Sequence, residues 1–184
     1  MNAPIADPAI IDTATAATAA TTAVSASERA ARQRQVVDAL SGAVPAHAML
    51  WQREDTVPYE CDGLTAYRQL PLVVVLPETE AQVAAVLRIC HGLQVPVVAR
   101  GAGTGLSGGA LPHAMGVTLS LAKFNRIVQV DRTARTATVQ CGVRNLAISE
   151  AAAPFGLYYA PDPSSQIACT IGGTWPRTPA ACIA

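Results

Sequence analysis

Val95-Pro-Val-Val-Ala-Arg-Gly-Ala-Gly-Thr-Gly-Leu-Ser-Gly-Gly109 is the stretch on which the fold turns. It begins as a short apolar strand, residues 95–99, and runs straight into a loop, residues 100–109, in which five of ten residues are glycine. Glycine admits positive φ and leaves backbone N–H groups open to a close ligand. Consecutive N–H groups turned into one concavity make an anion nest, and a phosphate or pyrophosphate is the natural guest. Thr104 and Ser107 add hydroxyl donors, and Arg100 adds charge. The plain alternative is a flexible glycine turn, but a loop this dense in glycine directly after an apolar strand is unusual among ordinary β-turns.

The frame around the loop narrows its use. Gly103, Gly105 and Gly108 satisfy G-x-G-x-x-G by the letter. A dinucleotide fold needs that motif to open a helix inside a β-α-β unit, with an acidic residue about 20 positions on. Here Pro112 and Gly116 interrupt the residues where that helix would run, and the nearest acidic candidate, Asp131, falls in a turn. The loop contains no G-K-[ST] either, so it binds phosphate in some other frame.

Upstream, Leu72-Val-Val-Val-Leu76 is a continuous apolar run between Pro71 and Pro77, the mark of a strand buried on both faces. Thr79 caps the next helix; Val83, Val86, Leu87 and Cys90 give it an apolar stripe, and Gly92 ends it. With residues 95–99 this makes a β-α-β unit. Residues 46–70 read as an irregular connection with Trp51, Tyr59 and Tyr67 as packing anchors. Ser25 or Ser27 caps a helix through Glu28, Arg32, Val36, Val37 and Leu40, ending near Gly42 and Pro45. Residues 1–24 form an Ala/Thr-rich tract with little large apolar surface, read as a disordered lead. Downstream, residues 117–121 form a strand. Residues 127–130 and 136–140 form two more, joined by a turn from Asp131 to Arg135. A helix over residues 145–153 stops at Pro154. The fold class is α+β.

Composition excludes several functions. The 184 residues carry 13 Lys+Arg and 13 Asp+Glu, so no basic surface invites nucleic acid or an anionic membrane. Cys61, Cys90, Cys141, Cys169 and Cys182 form no CxxC pair and no metal-like spacing with His47, His91 or His113. Scattered thiols suit a reducing compartment. No apolar run approaches the roughly 20 residues of a membrane span. The first residues include Asp7 and Asp12 and no arginine before Arg29, unlike a secretory or mitochondrial leader. The expectation is a cytoplasmic protein without a metal site.

Two stretches carry a resemblance. Pro77-Glu-Thr-Glu-Ala-Gln-Val83 followed by residues 95–109 resembles the vanillyl-alcohol-oxidase type of FAD-binding domain. A second stretch, Tyr158-Tyr-Ala-Pro-Asp-Pro-Ser-Ser-Gln-Ile-Ala-Cys-Thr-Ile-Gly-Gly173, is similar to the FAD-linked 2-hydroxy-acid oxidases, the family of the glycolate oxidase flavin subunit and D-lactate dehydrogenase. Cys141 departs from the family, where proline is common. The resemblance implies a partial FAD-binding domain over residues 71–173: a β-α-β subdomain plus the start of an antiparallel one, behind the N-terminal helix and connection of residues 25–70. It implies that Arg100, Gly101, Ala102, Gly103, Thr104, Gly105, Leu106, Ser107 and Gly108 lie at the FAD pyrophosphate. It also implies that Pro161, Asp162, Ser165, Thr170, Gly172 and Gly173 run along the flavin. No residue is assigned as catalytic acid or base; the three histidines lie outside the motifs.

The resemblance breaks at Thr174. The family continues with a pattern like Asn-Val-Ala-Glu-Asn-Ala-Gly-Gly-Val-His-Cys, whereas this chain reads Thr174-Trp-Pro-Arg-Thr-Pro-Ala-Ala-Cys-Ile-Ala184. Removing one base from codons for the family pattern spells the observed tail throughout. The expectation is a frameshifted tail over residues 174–184 and a truncated, inactive N-terminal fragment. Its full-length parent would oxidise a 2-hydroxy acid, with partner subunits of a glycolate oxidase complex. The competing expectation is a stand-alone FAD or nucleotide-binding module that works with a partner chain.

Overall fold

A computed structural model describes residues 25–174. Helix α1, Ala26–Leu40, starts at Ser25, whose side chain accepts from the Glu28 N–H while the Glu28 carboxylate accepts from the Ser25 N–H. That reciprocal pair satisfies two donors a helix start leaves open. A 3-10 turn at Ala46–Ala48 leads into strand β1, Met49–Leu50, and then the short helix α2, Arg53–Thr56. Strand β2 is Val73–Val75, helix α3 is Glu80–Gly92, strand β3 is Val97–Arg100 and strand β4 is Val117–Ser120. Thr79 and Gln82 form a second capping box at the start of α3.

The four strands make one sheet in the order β1-β2-β4-β3, with β2 and β3 both parallel to β4 and β1 antiparallel to β2. The β-α-β unit is therefore present, but β4 comes between its two strands. Val73, Val75, Val117 and Leu119 face α1 and α3, and with Val36, Leu40, Val86 and Cys90 they form the main core. Each such side chain, fully buried, contributes about 2 kcal/mol. Val74, Thr118 and Ser120 on the opposite face are buried too. Polar side chains of α1 bind the body together: Arg29 donates to the carbonyls of Leu70 and Pro71, and Gln33 donates to those of Trp51 and Leu72.

Strands β5, Ile127–Asp131, and β6, Thr136–Val139, form a separate antiparallel ribbon. In its turn, Asp131 Oδ1 accepts from the N–H groups of Thr133 and Ala134. Helix α4, Asn145–Ala152, passes into a 3-10 turn containing Pro154, and the last element is α5, Ile171–Thr174. A second, smaller core of Val143, Ile148 and Tyr159 lies under this part.

Three expectations need correction. Tyr67 is 62% exposed and anchors nothing. Leu87 is 45% exposed; the stripe of α3 runs through Val83, Val86, Ile89 and Cys90 instead, with Leu87 off that face. The connection before β2 is less irregular than expected, because Met49 and Leu50 pair with Val75 and Val74 as the edge of the sheet. Residues 1–24 and 175–184, the expected lead and nearly all of the expected tail, lie outside the described residues.

Candidate functional site

The glycine loop leaves the C-terminal end of β3, the end of a parallel sheet where ligands collect. No helix follows between residues 101 and 116, so the G-x-G-x-x-G spelling does not open a dinucleotide helix. Among the described residues, the backbone N–H groups from Gly101 to Leu106 donate no hydrogen bond to the protein. The loop is nonetheless fixed in shape. Gly103 has φ +73°, and a Cβ there would run into the Arg100 guanidinium. A Cβ on Gly101 would come within 2.5 Å of Thr170 Oγ1.

Strand parity explains Arg100. It pairs with Ser120, so it leaves the sheet on the face opposite α1 and α3. There its Nη1 donates to the Cys61 carbonyl at 2.6 Å, and its guanidinium stacks over the Tyr59 ring, 5.5 Å from the centroid. This clasp pulls residues 59–64 against the loop. A Cβ on Gly63 would lie 2.9 Å from the Thr104 carbonyl oxygen and 2.8 Å from that of Gly105. Across a trans peptide the N–H opposes the C=O, so the N–H groups of Gly105 and Leu106 point away from Gly63.

Between these walls is a cavity of about 530 Å³, lined on the loop side by Gly101, Ala102, Gly103, Thr104, Gly105 and Gly109, and by Asp62. Pro163, Ser165, Cys169, Thr170, Gly173 and Thr174 line the far side. Two residues that line this cavity each bury a polar atom without a partner in the protein, Asp62 Oδ2 and Thr170 Oγ1. A second cavity of about 400 Å³ shares Gly101, Ala102 and Thr170 and extends to Asn125, Ile127, Val143 and Arg144. On the far side the chain turns tightly: the Ala168 and Cys169 N–H groups donate to the Ser165 carbonyl, and the Gly172 N–H donates to the Cys141 carbonyl. Burial pushes the Cys141 thiol up from its ordinary value, so this residue backs Gly172 as a neutral, packed side chain.

Of the residues singled out from the sequence, Gly101, Ala102, Gly103, Thr104, Gly105, Ser165, Thr170 and Gly173 meet at the main cavity. Arg100 lies outside the lining, with Nη1 on the Cys61 carbonyl and the guanidinium over Tyr59. Leu106, Ser107 and Asp162 are exposed outside the lining, and Gly108, Pro161 and Gly172 lie outside it too. Asp62, Gly63, Pro163 and Cys169 were not foreseen. Asp62-Gly63 is a turn signal in sequence, but nothing local places it opposite a loop some 40 residues on. Among the described residues no group of three or more His, Cys, Asp or Glu could hold a metal ion.

A loop with six unspent N–H groups, in which Gly101 and Gly103 leave no room for a side chain, fits a pyrophosphate. Residues 71–176 match the FAD binding domain family. The chain belongs to this family. FAD is the family's cofactor, and the loop geometry fits it. Over 138 residues the chain is 61% identical to the glycolate oxidase subunit GlcD of Escherichia coli, covering 75% of this chain and 28% of that protein. It is 40% identical over 101 residues to a D-lactate dehydrogenase of Archaeoglobus fulgidus, covering 55% of this chain and 22% of that one. The chain thus spans about a quarter of the length of these relatives. Among solved structures, alkyldihydroxyacetonephosphate synthase superposes with a TM-score of 0.68 at 20% identity, over 77% of this chain and 31% of that one. p-Cresol methylhydroxylase gives 0.64 at 22% identity, over 74% and 28%. These bear out the vanillyl-alcohol-oxidase type of fold expected from the two sequence stretches.

Proposed function

We propose that this chain is the cofactor-holding portion of an FAD-dependent oxidoreductase that oxidises a 2-hydroxy acid such as glycolate or D-lactate. The observation that carries the reading is the run of unspent N–H groups from Gly101 to Leu106 beside the cavity. The 61% identity to a glycolate oxidase subunit supports the substrate class. Bound there, the flavin supplies a two-electron acceptor for the hydride equivalent from the carbon bearing the hydroxyl group. The chain's own residues bind and orient. Gly101 to Gly105 cradle the pyrophosphate, with the Thr104 hydroxyl alongside, and Arg100 holds the loop to residues 59–64. Ser165, Thr170 and Gly173 line the path of the flavin, with Pro161, Asp162 and Gly172 in the same segment.

No acid or base is assigned to this chain. The substrate carboxylate and the proton go to the further length that the relatives have, and other subunits complete the complex. We also place the protein in the cytoplasm. Its free cysteines support this, and among the described residues no helix is long and apolar enough to cross a membrane.

The test joins residues 1–173 to the remaining length of the E. coli relative. The purified chimera should be yellow, hold one FAD per chain, and reduce an artificial electron acceptor when given glycolate or D-lactate. A colourless, flavin-free but folded chimera would overturn the cofactor reading. Flavin reduced by neither acid would overturn the substrate class alone.

A further inference from the structure

Asp62 is 4% exposed. One oxygen, Oδ1, accepts from the Leu64 N–H at 2.9 Å and closes a turn. The other, Oδ2, is buried without a partner, in a residue that lines the main cavity. A buried carboxyl oxygen left unsatisfied is costly, and the turn needs only one of the two. The segment is also held still, by the Arg100 clasp on Cys61 and by the packing of Gly63 against two loop carbonyls. The second oxygen is therefore held beside the cavity with its acceptor capacity unused.

Its chemistry limits the occupant. A carboxylate beside an anion nest repels a bare phosphate. It gains only if the ligand brings a donor with its phosphates. A cation is not favoured, since no group of three His, Cys, Asp or Glu gathers here among the described residues. A dinucleotide carries hydroxyl donors on both sides of its pyrophosphate, on the ribityl chain and on the ribose. Resting on the FAD reading above, we propose that Asp62 is a cofactor-positioning residue whose free oxygen accepts a sugar hydroxyl of the bound dinucleotide. It makes the site select a sugar-bearing pyrophosphate over pyrophosphate alone.

Titrations on the full chain and on the full-length chimera test this with FAD, ADP and inorganic pyrophosphate. Asp62→Asn keeps an oxygen for the Leu64 N–H and replaces the free acceptor. It should weaken FAD about tenfold, the scale of a hydrogen bond to a charged group, while pyrophosphate binds equally or more tightly. Loss for ADP as well as FAD assigns the ribose, and loss for FAD alone assigns the ribityl chain. Asp62→Ala guards against a local misfold: its melting temperature reads the turn, and its FAD-to-pyrophosphate affinity ratio should fall as in Asp62→Asn. FAD affinity unchanged or raised in Asp62→Asn overturns the assignment, as does an equal loss for FAD and pyrophosphate. Should the wild-type chain and chimera both bind no FAD, the cofactor reading itself fails and takes this assignment with it.

Discussion

The two walls of the main cavity are built on opposite principles. On the glycine loop, the N–H groups from Gly101 to Leu106 are unspent. On the far wall, the N–H groups of Gln166, Ala168, Cys169, Ile171, Gly172, Gly173 and Thr174 all donate to backbone carbonyls. The loop is kept in shape by other means: the positive φ of Gly103, the Arg100 clasp and the packing of Gly63. The far wall spends most of its N–H groups on itself and adds side chains, chiefly the Thr170 hydroxyl. Backbone amides without a partner in the protein need another acceptor, water or a ligand. A fold that concentrates them on one wall has reserved that wall for an anion and left the other to shape and hydroxyl contacts.

The largest effect should come from the loop. Gly103→Val forces a β-branched residue into positive φ and into the Arg100 guanidinium. It should abolish FAD retention and lower the melting temperature. Gly105 differs, because a Cβ there meets nothing within 4 Å and its φ needs no glycine. Gly105→Val should leave stability within about 0.5 kcal/mol and still reduce FAD affinity at least tenfold, by narrowing the cradle. Flavin titration with thermal melts on both variants of the chimera separates the two. Full FAD binding by a well-folded Gly105→Val protein would break the contrast between the walls.

Arg100 comes next. The sequence offers it as a charge for the phosphate; the structure shows it bracing Cys61 and Tyr59, and we propose that the brace is its main part. Arg100→Met leaves the Cys61 carbonyl without its donor, at a cost of about 1 kcal/mol, and frees residues 59–64 from the loop. FAD affinity should drop about tenfold, with no change in how binding responds to salt. Arg100→Lys should not rescue it, because an ammonium lacks the planar fork that stacks on Tyr59 while donating to Cys61. A wild-type salt dependence that vanishes in Arg100→Met would return the guanidinium to the phosphate.

What the sequence disclosed depended on range. The runs at Leu72 to Leu76 and 117 to 121 announced buried strands because both sheet faces are covered, and Ser25 and Thr79 announced helix starts because capping boxes are local. The glycine loop was legible for the same reason. Met49 and Leu50 were not, since two residues show no period and only their pairing with Val75 and Val74 makes them a strand. Asp62 was hidden further, because its place depends on Arg100, 38 positions later, and on which face of β3 that side chain takes. The far wall was legible as a stretch but not residue by residue: tight turns bring Pro163, Ser165 and Cys169 to the cavity and leave Asp162 outside.

The smallest and most discriminating effect belongs to Thr170. Its Oγ1 is buried with no partner, 2.5 Å from where a Cβ on Gly101 would sit, and the residue lines both cavities. In the cofactor-free protein that hydroxyl is a liability, because it has given up water and received nothing in return. Thr170→Val keeps the branched shape and removes the polar atom. Replacing an unsatisfied buried hydroxyl by a methyl group is neutral or stabilising, so the cofactor-free variant should melt at the same temperature or a few degrees higher. If the far wall contributes a hydroxyl to the dinucleotide, the same variant should bind FAD severalfold more weakly, and Thr170→Ser should recover most of the loss. The two readouts then move in opposite directions, which a purely structural threonine does not produce. A Thr170→Val protein that melts higher and binds FAD as tightly as wild type would mean that the far wall supplies shape alone, with every polar contact coming from the loop side.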